Sequence, residues 1–259
     1  MNAIEKQMVD ILRTLRVSYG AAAVKASMES EGILLNEMLR LKEIIMAAGV
    51  GMSVKIGGCE AITDARIAQG YGVSILLGPM IESRFALEKF LGVAESVFSV
   101  DEREDTKFYI NIETMDGYRK LDEILAAENL PLLHAIVLGR TDLRSALKAE
   151  TVDCPEMMKV ASGVFKKAKE KSLRCIVGGG ITEKTVPFLE ELGGLADGFE
   201  TRKVVFYTDV KETGRTREAI RLALHFEYLW YQLRQQMYLR LYHEDEDKMK
   251  KIAEHGRSR

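Results

Sequence analysis

Seven times along its 259 residues the chain runs from a short apolar segment into a stretch of helical period. The apolar segments span 21–29, 52–58, 73–80, 107–113, 133–143, 173–182 and 197–207. Helical patterns follow at 34–49, 60–70, 83–97, 116–128, 155–171 and 183–193, and one long helix is expected from Thr216 to Ala253. Apolar strands that alternate with helices form a parallel sheet covered on its faces. So many repeats favour a closed (β/α)8 TIM barrel over an open doubly wound sheet. An open sheet would carry a glycine fingerprint after its first strand, and only "SEG" stands there. Seven strands are legible where a closed barrel needs eight. The missing one belongs before residue 20, where the sequence reads as a helix, so either that segment is a strand after all or the first strand is degraded. The expectation is a single barrel domain over 1–259 with a long C-terminal helix over 216–253.

Composition narrows the class of function. With 37 basic and 39 acidic residues the formal net charge is -2, which lacks the basic footprint of a nucleic-acid binder. Three cysteines, Cys59, Cys154 and Cys175, are widely spaced and form no CxxC pair, which fits a reducing cytoplasm. The N-terminal "MNAIEKQMVDILRTLRVSYG" is amphipathic and carries acids, unlike a signal peptide. No apolar run has the length of a membrane span.

Functional residues of a parallel barrel stand where strands end and loops begin. In chain order these ends offer Lys25, Ser27 and Glu29; Lys55 followed by "GGCE"; "GPMIES" with Glu82; Glu113 and Thr114; "GRTDL" with Gly139, Arg140 and Asp142; "GGGIT"; and Glu200 to Lys203. Glu113 and Asp142 end consecutive strands. Neighbouring strands lie about 4.8 Å apart, so the two carboxylates can share one hard divalent ion. They can equally be caps or first-turn acids of the helices that follow, with Thr114 or Asp116 an alternative cap beside Glu113.

The run "INIETMDGYRKLDEILAAENLPLLHAIVLGRTDLRSAL", with "VKIGGCEAITDARIAQGYGVSILLGPMIES" before it, resembles the core signature of the HpcH/HpaI aldolase and citrate lyase family. The resemblance extends over roughly 20–207, and its most specific part is "IET" followed by "GxxDL". It implies a (β/α)8 barrel that uses Mg²⁺ or Mn²⁺ to make or break a C–C bond beside a 2-oxo acid. It places Glu113 and Asp142 on the metal-binding carboxylates. It places Lys55 where the family usually has an arginine for the 2-oxo acid, and lysine keeps the charge without the bidentate fork. The aldolase branch has a histidine base where "KASMES" stands here, and Glu29 or a metal-bound water is expected to move the proton instead. Arg140 replaces the family proline and is expected beside the ion. The resemblance and the strand ends together give Lys55, Glu29, Arg140 and Arg202 as the expected catalytic set. The expected substrate-binding set is Lys25, Lys55, Glu82, Gly139, Glu200 and Arg202.

Three further features stand outside the motif. "VGGGIT" can present backbone N–H groups to an anion, or form a tight turn. Alternation in "FETRKVVF" sends Glu200 and Arg202 to one face, as an ion pair or with Arg202 on a substrate anion, and Lys203 to the other. The aromatic face of the terminal helix, Phe226 to Tyr242, is expected to build a homo-oligomer through 222–245, the alternative being a helix packed on its own core. His134 begins its strand at the end remote from the mouth and reads as structural. The expected substrate is a small 2-oxo acid or an acyl-CoA. The rival readings are an acyl-CoA lyase of the citrate lyase type, Schiff-base chemistry on Lys25, Lys55 or Lys203, and a non-catalytic anion-binding barrel.

Overall fold

The computed structural model describes residues 1–207 and 213–256. The chain starts with α1 (Ala3–Tyr19), β1 (Ala21–Ser27), α2 (Leu35–Ala48), β2 (Gly51–Lys55), α3 (Ile62–Gly70) and β3 (Ile75–Gly78). Two helices, α4 (Arg84–Val97) and α5 (Val100–Asp105), precede β4 (Lys107–Ile112). The short α6 (Met115–Arg119) and α7 (Leu121–Ile124) lead to β5 (Leu133–Gly139). Then come α8 (Arg140–Leu147), α9 (Pro155–Glu170), β6 (Arg174–Gly178), α10 (Val186–Leu192), β7 (Gly198–Glu200), β8 (Val204–Tyr207) and α11 (Thr213–Gly256).

The eight strands close in sequence order into a barrel. β1 to β7 pair in parallel, whereas β8 runs antiparallel to both β7 and β1. This corrects the expected strand inventory. Nothing before residue 20 is a strand, because Asn2 and Glu5 form a capping box and Met8, Leu12 and Leu15 bury one face of a true helix. The missing strand is instead the second half of 197–207. That segment turns back at Thr201, whose N–H donates to Val204 O at 2.9 Å and whose hydroxyl accepts from Val204 N at 3.0 Å. Gly198 lets the two arms meet, since a Cβ there would collide with the Phe206 carbonyl. A second correction concerns 133–143, where the strand stops at Gly139 and "RTDL" opens α8.

Strand alternation sorts the barrel interior into layers. Ala23, Ile75, Leu77, Tyr109, Ala135, Val137, Ile176 and Val205 fill the middle. One pleat further toward the C-terminal strand ends the inward row becomes polar or small: Lys55, Glu113, Gly139, Gly178 and Glu200, all of which line one cavity. The remaining core lies between the sheet and its helices.

About 66 Å long at the usual rise per residue, α11 packs its first half on its own barrel. Phe226, Leu229, Trp230 and Leu233 are buried on the chain's own core. Glu37 of α2 fastens the helix by accepting from Arg234 Nε and Tyr238 Oη, both at 2.6 Å. Leu239, Leu241, Tyr242, Met249 and Ile252 are exposed. Among the described residues no helix is long and apolar enough to cross a membrane.

Candidate active site

The cavity at the C-terminal mouth of the barrel has a volume of about 400 Å³. It gathers Lys25, Lys55, Glu113, Gly139, Asp142, Glu200 and Arg202 from the sequence-derived set. Lys25 comes from β1, Lys55 from β2, Gly139 from β5 and Glu200 from β7, each at or near its strand's C-terminal end. Glu113 directly follows β4, Asp142 is in the first turn of α8, and Arg202 is in the β7–β8 turn.

Glu113 is the most constrained of these side chains. It is 4% exposed and accepts from the Met80 backbone N–H at 2.8 Å and from Asn111 Nδ2 at 2.9 Å. Met80 holds φ at 50°, a strained value for a side chain of its size, and its N–H reaches Glu113 from there. On the neighbouring strand Gly139 leaves room for the carboxylate, since a Cβ there would stand 2.5 Å from Glu113 Cβ and 2.8 Å from Oε2. The capping role belongs to Thr114, which accepts from Gly117 N at 3.1 Å, so Glu113 is free of it. Asp142 makes no hydrogen bond or ion pair among the described residues, and α8 has no side-chain cap.

The remaining lining charges are mostly paired within the protein. Lys25 meets Glu200, and Arg202 Nε stands 3.2 Å from Glu227 of α11. Glu31, in the loop after β1, takes the buried Lys203 ammonium at 2.5 Å. The Glu200–Arg202 pair expected from alternation is not made, because the chain leaves the strand at Thr201 and the two side chains find different partners. Lys203 is sealed outside the cavity lining, with its ammonium 5.4 Å from the Trp230 ring. Burial pulls its pKa down, against the upward pull of Glu31.

Three expected site residues stand outside the cavity lining. Arg140, the residue after inward-facing Gly139, is fully buried in the opposite direction. It donates to Gly178 O at 3.1 Å and Gly179 O at 2.8 Å, pairs with Asp153 and lies over the Phe188 ring. It therefore braces the glycine loop rather than placing charge beside Asp142. Glu29 is exposed and folds over Gly57. Glu82, just before the Ser83 cap of α4, is half-buried away from the lining.

The cavity also holds residues that strand-end reasoning did not single out: Asn111, Thr141, Thr182, Glu31, Leu224 and Glu227. Asn111 was legible, because it stands two residues before Glu113 and shares its face. Its Oδ1 is buried and has no partner among the described residues. The glycine loop expected as an anion cradle contributes Gly178, Gly179 and Gly180 to the wall, the latter two at positive φ. His134 is at the closed end of β5, where its Nδ1 accepts from Phe108 N at 3.2 Å. Burial and Lys107 push its pKa down. Cys175 is buried, and its thiol is pushed up to about 12 by desolvation, which leaves it inert.

Comparison with solved structures gives this architecture its relatives. An HpcH/HpaI aldolase from Desulfitobacterium hafniense aligns over 77% of this chain and 83% of its own, with TM-score 0.61 and 13% identity. An HpcH/HpaI aldolase/citrate lyase family protein from Burkholderia cenocepacia aligns over 85% and 98%, with TM-score 0.59 and 14% identity. The citrate synthase SbnG aligns over 85% and 89%, with TM-score 0.55 and 14% identity. The fold is theirs. No family model matches the chain, and no curated protein matches it in sequence. At such identities the likeness is one of fold, and the chemistry has to be argued from the cavity.

Proposed function

We propose that this cavity makes or breaks a C–C bond next to a 2-oxo acid, with a divalent metal ion held by Glu113 and Asp142. One observation carries the reading. Of the charged side chains that line the cavity, only Glu113, Asp142 and Lys55 lack an ion-pair partner among the described residues. Two unmatched carboxylates beside one unmatched ammonium suit a divalent cation together with an anionic substrate.

The donor set fits that ion. Both carboxylates are hard oxygen donors, and the orphaned Asn111 Oδ1 adds a buried acceptor for a water or a substrate hydroxyl. Among the described residues no group of three or more His, Cys, Asp or Glu could hold a metal ion, so an ion here would rest on these two carboxylates with water and substrate oxygens completing its shell. A bound Mg²⁺ or Mn²⁺ would supply Lewis-acid polarisation of the 2-oxo group.

The chain's own residues do the rest. Lys55 offers a point charge to the substrate carboxylate. The Met80 N–H and the Asn111 amide hold Glu113 in place. Val137 is an apolar part of the cavity lining. The Lys25–Glu200 pair closes the wall beside it, leaving Lys55 as the ammonium free for substrate. An aldolase and a citrate synthase among the structural relatives agree with this class of reaction. The free thiols of Cys59, Cys154 and Cys175 suit a reducing cytoplasm.

Deuterium exchange at the methyl group of pyruvate, followed by NMR, tests the reading without knowledge of the second substrate. Exchange should depend on added Mg²⁺ or Mn²⁺, stop with a chelator, and be lost in Glu113→Gln. Exchange that survives both treatments overturns the metal-dependent mechanism. A second reading is favoured by the glycine loop and Thr182, which line the cavity and suit a phosphate-like anion. Calorimetric binding of inorganic phosphate, with pyruvate inert under every metal condition, would select it.

A further inference from the structure

The proposed reaction requires a group that takes a proton from carbon and returns it. The residue expected for that task, Glu29, is outside the cavity, and no histidine lines the cavity. The other carboxyls of the wall are already committed. Glu113 and Asp142 are assigned to the proposed ion, Glu200 is held by Lys25, and Glu31 by Lys203. The one further carboxyl of the wall comes from an element outside the barrel repeat, and its partner is a largely exposed arginine rather than a buried lysine.

The terminal helix sends Leu224 and Glu227, spaced i,i+3 on one face, into the cavity wall. The Glu227 side chain is 16% exposed, and its ion-pair partner is the Nε of the much more exposed Arg202. Other charges face it as well: Lys25 from β1, Glu31 from the loop after β1, and Lys203 from the β7–β8 turn. Burial raises the Glu227 pKa above the ordinary glutamate value, and Glu31 adds to this. Arg202, Lys203 and Lys25 pull the other way without cancelling it. A raised pKa moves the carboxyl toward the range in which one group both accepts and releases a proton. Lys203, under the Trp230 ring, and Arg202 tie this part of α11 to the seam of the barrel.

We propose that Glu227 is the acid–base group of the cavity, supplied by α11 of the same chain, with Arg202 as its positioning residue. The inference rests on the reaction class proposed above. In the bond-forming direction the C3–H bond of a pyruvate-like substrate breaks and an O–H bond forms on the Glu227 carboxylate. The C–H electron pair becomes the C2–C3 double bond, and the negative charge moves to the C2 oxygen. Cleavage runs the same transfer backwards and returns the proton to carbon.

The test is the pyruvate methyl-exchange assay with Mg²⁺ on the full chain, read against pH. Glu227→Gln should lower exchange by at least about 100-fold, the lower bound for a positioned acid–base group. Mn²⁺ binding and the urea midpoint should stay near wild type. Glu227→Asp should recover part of the rate. In the wild type the rate should rise as the Glu227 proton is lost, and this limb should be absent in Glu227→Gln. Arg202→Met removes a charge that lowers the Glu227 pKa, so the limb should move to higher pH. A Glu227→Gln protein that keeps the wild-type rate, or the same limb at a lower rate, overturns the inference and leaves the reaction class standing. A wild-type protein that binds no Mn²⁺ and exchanges nothing overturns both.

Discussion

At the β4–β5 edge Glu113 receives only N–H donors, and Asp142, one turn into α8, makes no ion pair among the described residues. At the β7–β8 seam every charge is answered: Glu200 by Lys25, Arg202 by Glu227, Lys203 by Glu31. Both regions put polar side chains at the end of apolar strands, where an unmatched charge is costly. The seam meets that cost internally, which closes the barrel and fastens α11. The edge leaves it unmet, so the edge is where a ligand from outside has most to gain.

Breaking the seam should have the largest effect. Lys203→Ala strands Glu31 in a buried setting and should cost about 3–5 kcal/mol in urea denaturation. The double variant Lys203→Met with Glu31→Gln should recover most of it, because the charge penalty disappears along with the pair. At the edge, Gly139→Ala drives a Cβ into Glu113. We expect about 1–3 kcal/mol of overpacking, and Mn²⁺ titration should show weaker binding as Glu113 is displaced.

Asn111→Ala leaves Glu113 in place but removes its side-chain donor. Mn²⁺ affinity should fall about 10–100-fold, the usual effect of losing an outer-shell partner. A smaller effect is expected at the closed end of β5. His134 has a folded-state pKa below its ordinary 6.5, and the Phe108 N–H requires its neutral form. Its stabilising contribution is therefore complete above the unfolded value and is lost as pH falls through the lower folded value. Urea midpoints should drop as pH is lowered from about 6.5, and His134→Asn should flatten that slope. Least costly should be truncation after Tyr238, because the large apolar residues beyond it are exposed. Stability should change by about 0.5 kcal/mol or less. Light scattering would show whether the loss also dissociates the homo-oligomer expected through this helix.

The site was legible in part, for a definite reason. Lys25, Lys55, Glu113, Gly139 and Glu200 fall on or beside the inward row of a strand, and that row follows from counting by two. Arg140 shows the rule from its other side. One residue past Gly139 the chain has already turned into α8, so Arg140 faces outward into Asp153 and the glycine carbonyls. Arg202 and Lys203 were harder to place, because a turn interrupts the count at Thr201. Glu227 gave no local signal at all. Its neighbours in sequence read as an ordinary amphipathic helix, and only the docking of α11 brings it to the mouth.

The sequence by itself determined that this chain alternates strands and helices, that it lacks a nucleotide fingerprint, and that Glu113 stands where an apolar strand ends. These are local properties, written in hydrophobic period and in the residues that stop each run. Only the tertiary structure decided which strand is the eighth, since the antiparallel β8 pairs with β1 about 180 residues away in sequence and no short-range pattern encodes that partner. It also decided which charges are paired. Pairing depends on distances between segments far apart in the chain, as between Lys25 and Glu200 or Arg202 and Glu227, and composition counts charges without saying where they meet.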